Sequence, residues 1–163
     1  MKSLVVYFSR TGTTKKVAEA ISKKLKADSE EIKTTDSRDG ILVYLKSGKE
    51  ASLKRPADID KTKKDPSKYD VVVIGTPVWA WSVSSPVRAY LMKNRDKLKK
   101  AEFAFFCTQS GSGAERACSQ MEDLCRKKPL SVLWLKEGEV LKADYRRKAD
   151  DFTSKITKIR LSR

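Results

Sequence analysis

The 163-residue sequence contains no histidine. That absence removes a histidine general base, a Ser-His-Asp triad and a histidine metal site. Cysteine is scarce. Cys107, Cys118 and Cys125 are too few and too unevenly spaced for a disulfide scaffold or a CxxC metal site, so they read as reduced core residues, and no metal site is expected. Cys118 and Cys125 share one helical face, where packing explains them. No apolar stretch reaches the roughly 20 residues needed to span a bilayer. The chain opens on a strand-like run instead of a charged and then apolar leader, which predicts no secretory signal and a cytoplasmic location. Acidic residues are outnumbered, 21 against 36 Lys plus Arg, for a formal net charge of +15. Such a charge steers a protein towards acidic proteins, nucleic acid or an anionic membrane surface. The lysines are spread along most of the chain, which favours a generally solvated basic surface over a dedicated nucleic-acid patch.

What is present is a chain sized for one compact domain, 1–163, with 39% hydrophobic residues. Continuous apolar runs predict buried parallel strands over 4–8, 70–75 and 101–107. Weaker runs predict strands over 30–34 and 130–135. Helical periodicity predicts helices over 13–27, 87–98, 114–125 and 145–159, with a turn over 36–40, a less regular helix over 41–53 and a long loop over 54–68. Strand and helix alternate five times. Parallel neighbours need right-handed crossovers, so this order implies an α/β three-layer sandwich with helices on both faces of a parallel sheet. Ligands of such sheets bind beyond the carboxyl ends of the strands.

Three loops at those ends are unusual in composition. The first, FSRTGTT over 8–14, places the hydroxyls of Ser9, Thr11, Thr13 and Thr14 around Gly12 at a helix start, with Arg10 among them. Free N–H groups and the helix dipole there suit a phosphate, although a turn whose threonines merely cap the helix is the simpler alternative. It lacks the Gly-Lys-Ser/Thr ending of a Walker loop and the three glycines of a dinucleotide loop, so a mononucleotide fits better. The second loop, TPVWAWSVSSP, brings Thr76, Pro77, Val78, Trp79, Ala80 and Trp81. Its two tryptophans are expected to point apart, one covering the core and one offering a flat face to a planar ligand. The third, TQSGSG, brings Thr108, Gln109, Ser110, Gly111, Ser112 and Gly113. Either it is a glycine-rich turn, or its small residues let a heteroaromatic ring approach backbone groups.

Together these loops supply a phosphate cradle, an aromatic platform and a polar backbone edge. The sequence resembles the flavodoxin family over nearly its whole length, through FSRTGTT, VVVIGTPVWAWSVSSPVRAYL and FAFFCTQSGSG, in a branch with a TPVWAW-type flavin loop. The resemblance implies a five-stranded sheet in order 2-1-3-4-5, noncovalent FMN, and an electron-transport flavoprotein of the oxidoreductase class. It assigns no catalytic side chain. The cofactor would be held by Ser9, Arg10, Thr11, Gly12, Thr13, Thr14, Thr76, Pro77, Val78, Trp79, Ala80, Trp81, Thr108, Gln109, Ser110, Gly111 and Gly113. The partners expected are acidic redox proteins, ferredoxin- or reductase-like, with no membrane insertion and a monomer or dimer. Two other readings stay open: a small FMN-dependent NAD(P)H:quinone or flavin reductase, and a basic module without FMN that binds nucleic acid or an acidic protein. Two residues depart from the family pattern. Ala80 stands where better-known members carry a glycine whose peptide can flip to meet flavin N5, and the third loop lacks a stacking tyrosine.

Overall fold

The computed structural model describes residues 1–35 and 56–162. The turn expected over 36–40 and the helix expected over 41–53 lie outside those residues. Six strands are described: β1 (Ser3–Tyr7), β2 (Asp28–Glu31), β3 (Val71–Trp79), β4 (Ser82–Val83), β5 (Glu102–Gln109) and β6 (Val132–Lys136). The helices are α1 (Thr13–Leu25), α2 (Ser85–Lys93), α3 (Arg95–Leu98), α4 (Ala114–Cys125), α5 (Glu137–Leu141) and α6 (Tyr145–Leu161), with a 3-10 turn at Pro66–Lys68.

The spatial order is β2-β1-β3-β5-β6, all neighbours parallel, and β4 pairs antiparallel with the end of β3. This corrects the expected count of five strands and its order 2-1-3-4-5. The two-residue β4 lies inside what reads in sequence as a loop, too short to show periodicity, and it shifts the numbering of the strands after it.

Alternation along the central strands divides the core into two layers. Leu4, Val6, Val72, Ile74, Phe103 and Phe105 face one side, where they meet Val87, Tyr90 and Leu91 of α2 and Ala117 and Met121 of α4. Val5, Tyr7, Val71, Val73, Ala104 and Phe106 face the other, against Val17 and Ile21 of α1 and Phe152 and Ile156 of α6. Each such apolar side chain contributes about 1.5–3 kcal/mol when taken from water, so the three inner strands supply most of the cohesion. The edge strand β6 is buried on one face only. Leu133 and Leu135 point inward, while Val132 and Trp134 stay 45% and 44% exposed.

The helix expected over 87–98 is broken at Asn94, which ends α2 and precedes α3. Its amide donates to the Tyr90 carbonyl, a local bond that competes with continuing the helix. Strand β2 begins two residues earlier than expected and is polar, because it is an edge strand with only β1 beside it. The described part of the expected long loop is irregular. It is tied down where Glu30 accepts from the Lys63 and Lys64 N–H groups and where Thr34 bridges Ile59. Among the described residues no helix is long and apolar enough to cross a membrane.

Candidate flavin-binding loops

The three loops all follow carboxyl ends of parallel strands β1, β3 and β5, so the sheet itself gathers them along one edge. In the first loop Gly12 is the N-cap of α1, with φ +88. A side chain there would be strained, although no atom lies within 4 Å of where its Cβ would stand. The Lys15 N–H donates to Ser9 Oγ at 3.1 Å, and the Lys16 N–H to the Gly12 carbonyl. The Thr13 and Thr14 N–H groups take no partner among the described residues. Two free donors thus sit at the positive end of a thirteen-residue helix, next in sequence to the open space at Gly12, with Thr14 itself buried. Thr11 and Thr13 place their hydroxyls 3.2 Å apart beside them. Thr14 is different, because its hydroxyl is buried against that of Thr108, 2.8 Å away.

The second loop is a hairpin. Trp79 pairs with Ser82, and the two residues between them, Ala80 and Trp81, both have positive φ, +44 and +59. That is the signature of a type I′ turn, which normally recruits Asn-Gly or similar residues. The reversal sends the two tryptophans apart, as the sequence suggests. Trp79 lies over the first loop, edge-on to Phe8 at 5.6 Å and beneath the Arg10 guanidinium at 5.4 Å. Trp81 turns to the third loop and donates its indole N–H to Ser112 Oγ at 3.1 Å. Thr76 is fully buried; its hydroxyl donates to the Pro77 carbonyl or Ser84 Oγ and accepts from the Ser84 N–H. Pro77 and Val78 are half-buried along β3.

In the third loop Gln109 Oε1 accepts from the Ala114 N–H, closing the start of α4, and Ser110 donates to Glu137. Gly111 has open space where a Cβ would be. Gly113, with φ +108, is pressed so closely on Trp81 that an added Cβ would lie 2.7 Å from the Trp81 Cα. The second and third loops therefore touch. A planar ligand in this region must lie along their outer edge or displace the Trp81 indole, which is 59% exposed.

A group of supporting residues went unseen in the sequence. Gln120 of α4 accepts from the Val83 N–H and from Arg88, and donates to Ser82 Oγ, pinning the hairpin from below. Burial lowers the pKa of Arg88 there. A lone polar residue in a helical pattern carries no signal of such a role. A cavity of about 440 Å³ lies elsewhere, where Lys93 and Lys97 meet the 59–65 segment. Its lysines are surface groups, whereas the three loops hold the free helix donors, so the loops are the stronger candidate.

For a flavin mononucleotide the residues fit at the phosphate end. The free Thr13 and Thr14 N–H groups, the Thr11 and Thr13 hydroxyls and the unfilled space at Gly12 match a dianion's need for several donors.

Comparison with solved structures finds the same fold repeatedly. A flavoprotein from Lactobacillus acidophilus NCFM, crystallised in complex with FMN, is 25% identical, with a TM-score of 0.60 over 86% of this chain and 97% of that one. An NADH:FMN oxidoreductase in its apo form is 17% identical, with a TM-score of 0.61 over 99% of this chain and 90% of that one. A flavodoxin from the domain Archaea is 17% identical, with a TM-score of 0.57 over 96% and 99%. No curated protein matches the sequence. The sequence model of one family, described as flavodoxin, matches residues 2–156, nearly the whole chain. The chain therefore belongs to the flavodoxin family.

Proposed function

We propose that this protein binds FMN noncovalently at its three loops and carries electrons between redox partners. The observation that carries the reading is the cradle at the start of α1: free Thr13 and Thr14 N–H groups that follow the open space at Gly12. The similar flavoprotein from Lactobacillus acidophilus, crystallised with FMN, supports it. When bound, FMN supplies the redox chemistry, and the protein sets its place and surroundings. Ser9 shapes the first loop by accepting from the Lys15 N–H, leaving Thr11 and Thr13 to donate to the phosphate. Arg10 adds positive charge beside it. Trp79, held between Phe8 and Arg10, and the outer edge formed by Ala80, Trp81 and residues 108–113 receive the ring. With a formal charge of +15 the docking partner is an acidic protein.

Titrating the purified protein with FMN tests the cradle. The expected result is a saturable change in flavin absorbance with Trp fluorescence quenched; a colourless protein that gains no flavin would end the proposal. A small NAD(P)H-dependent reductase is the rival with the same cofactor. Rapid bleaching of the bound flavin by NAD(P)H in stopped flow would favour it, whereas reduction only through a protein donor favours the carrier. A module without FMN would instead show salt-dependent binding to nucleic acid or an acidic protein and no flavin uptake.

A further inference from the structure

Two cysteines that are far apart in the sequence pattern meet behind the third loop. Cys107, near the end of β5, and Cys118, in the second turn of α4, have their sulfurs 3.4 Å apart. Cys107 is fully buried and Cys118 is 8% exposed. The segment between them, 108–117, contains the whole third loop. Above Cys118 lies Trp134 of the edge strand, whose indole N–H donates to the Cys118 sulfur at 3.3 Å. The Cys118 sulfur thus lies between the fully buried Cys107 and an indole that is itself 44% exposed. Cys125, on the same helix, has no such neighbour among the described residues.

We propose that Cys107 and Cys118 form a reversible disulfide site, with Cys118 as the attacking thiolate and Cys107 as the resolving thiol, acting on a hydroperoxide. A sulfur–sulfur bond of about 2.05 Å needs the two atoms to close by little more than 1 Å, within reach of side-chain rotation and a small shift of α4. The two sulfurs are not equivalent. With Cys118 as thiolate, the Trp134 N–H and the Cys107 S–H both donate to it. These bonds pull the Cys118 thiol below its ordinary pKa, the Cys107 contact first, while the same contact and burial push Cys107 well up.

The reaction runs in two steps. The Cys118 thiolate attacks one oxygen of the hydroperoxide; the S–O bond forms, the O–O bond breaks, and the departing oxygen leaves protonated as an alcohol or water. The Cys107 sulfur then attacks the sulfenic sulfur. The S–S bond forms, and hydroxide leaves as water with the Cys107 proton. Two thiols and one hydroperoxide give one disulfide, one alcohol or water, and one further water, with two electrons passed from sulfur to oxygen. The site rests on the two sulfurs and Trp134 and does not depend on FMN binding.

The test uses the full chain, reduced and then exposed to a few equivalents of hydrogen peroxide before alkylation and peptide mapping. The expected product joins the Cys107 and Cys118 peptides, is reversed by dithiothreitol, and leaves Cys125 alkylated. In Cys107→Ser the expected product is a sulfenic acid at Cys118, trapped by dimedone, because its resolving partner is gone. The wild-type map needs no variant to fold. Sulfinic acid at Cys118 with Cys107 still alkylatable would overturn the proposal. So would a cross-link through Cys125, no reaction in the native protein, or trapping at Cys107 in Cys118→Ser.

Discussion

The hydroxyls of Thr14 and Thr108 lie 2.8 Å apart, both buried, and form a direct bond between the first loop and the third loop. Removing either partner strands the other in an apolar setting, a cost of about 1–3 kcal/mol. Thr14→Val and Thr108→Val are each expected to lose that much, whereas the double variant should recover most of it. Urea unfolding of all four proteins closes the cycle. Additive losses would mean that the two hydroxyls are not coupled.

Ala80 and Trp81 adopt left-handed backbone that costs non-glycine residues on the order of 1–2 kcal/mol each. Replacing Ala80 by Asn, which tolerates that region, should stabilise the protein by a few tenths to about 1 kcal/mol. The gain would be read as a higher urea midpoint at unchanged slope. A lower midpoint would show that the hairpin is not strained at Ala80.

Gly113→Ala introduces two faults, a strained φ of +108 and a Cβ only 2.7 Å from the Trp81 backbone. A loss of about 2 kcal/mol or more is expected, together with a red shift in Trp fluorescence as the Trp81 indole leaves Ser112. Wild-type emission and stability would contradict the contact between these loops.

Gly12→Val forces a β-branched residue to φ +88 and fills the open space at the start of α1. FMN affinity should fall at least tenfold, while far-UV circular dichroism keeps its helical signal. Unchanged affinity would remove the cradle.

Tyr69 donates its phenolic proton to Asp28 at 2.6 Å. That bond is the main cause holding the Asp28 carboxyl below its ordinary 3.8, and burial, followed by the same bond, pushes the Tyr69 phenol up to about 12. A depressed carboxyl stabilises above its unfolded pKa and loses that contribution as pH falls through the folded value, which sets an acid limb below about pH 4. A raised phenol stabilises below its unfolded pKa and loses the contribution as pH climbs from about 10 towards 12. Tyr69→Phe should flatten both limbs in unfolding midpoints measured across pH; limbs that match wild type would show that the pair does not drive them.

Much of this architecture is legible in the sequence because the inner strands are buried on both faces. Val71 to Ile74 and Phe103 to Cys107 have no polar residue to interrupt them, so these strands are plain in sequence, although β3 runs on to Trp79 and β5 to Gln109, past the expected ends at 75 and 107 and into the expected loops. What stays hidden depends on contacts between distant segments. The hairpin at Ala80 and Trp81 carries none of the residues that normally announce such a turn, because tertiary support from Gln120 and Ser112 overrides local preference. Helix α5 is a single turn, below the length at which periodicity can appear. The spacing of Cys118 and Cys125 suggests a helix face, yet the sulfur in contact with Cys118 is that of Cys107, on another element. In the candidate site the glycines and hydroxyls of the loops are visible in sequence. That Thr76, Thr14 and Thr108 turn their hydroxyls to protein partners is not.

The place of β1 inside the sheet, between β2 and β3, sets an order of events for the growing chain. Its one neighbour near in sequence is the polar β2, while its other edge waits for β3, whose entry is marked by the Lys2 N–H donating to Asp70, 68 residues on. Until that segment has been made, Val5 and Val6 belong to an edge, and the first βαβ half has no inner wall to close against. Forming the pair also closes a long loop, an entropic cost met before the central contacts return it. Folding is thus a late, joint event of the first and second halves. Amide exchange pulsed during refolding should show β1 and β3 gaining protection together, and earlier protection of β1 alone would refute that order.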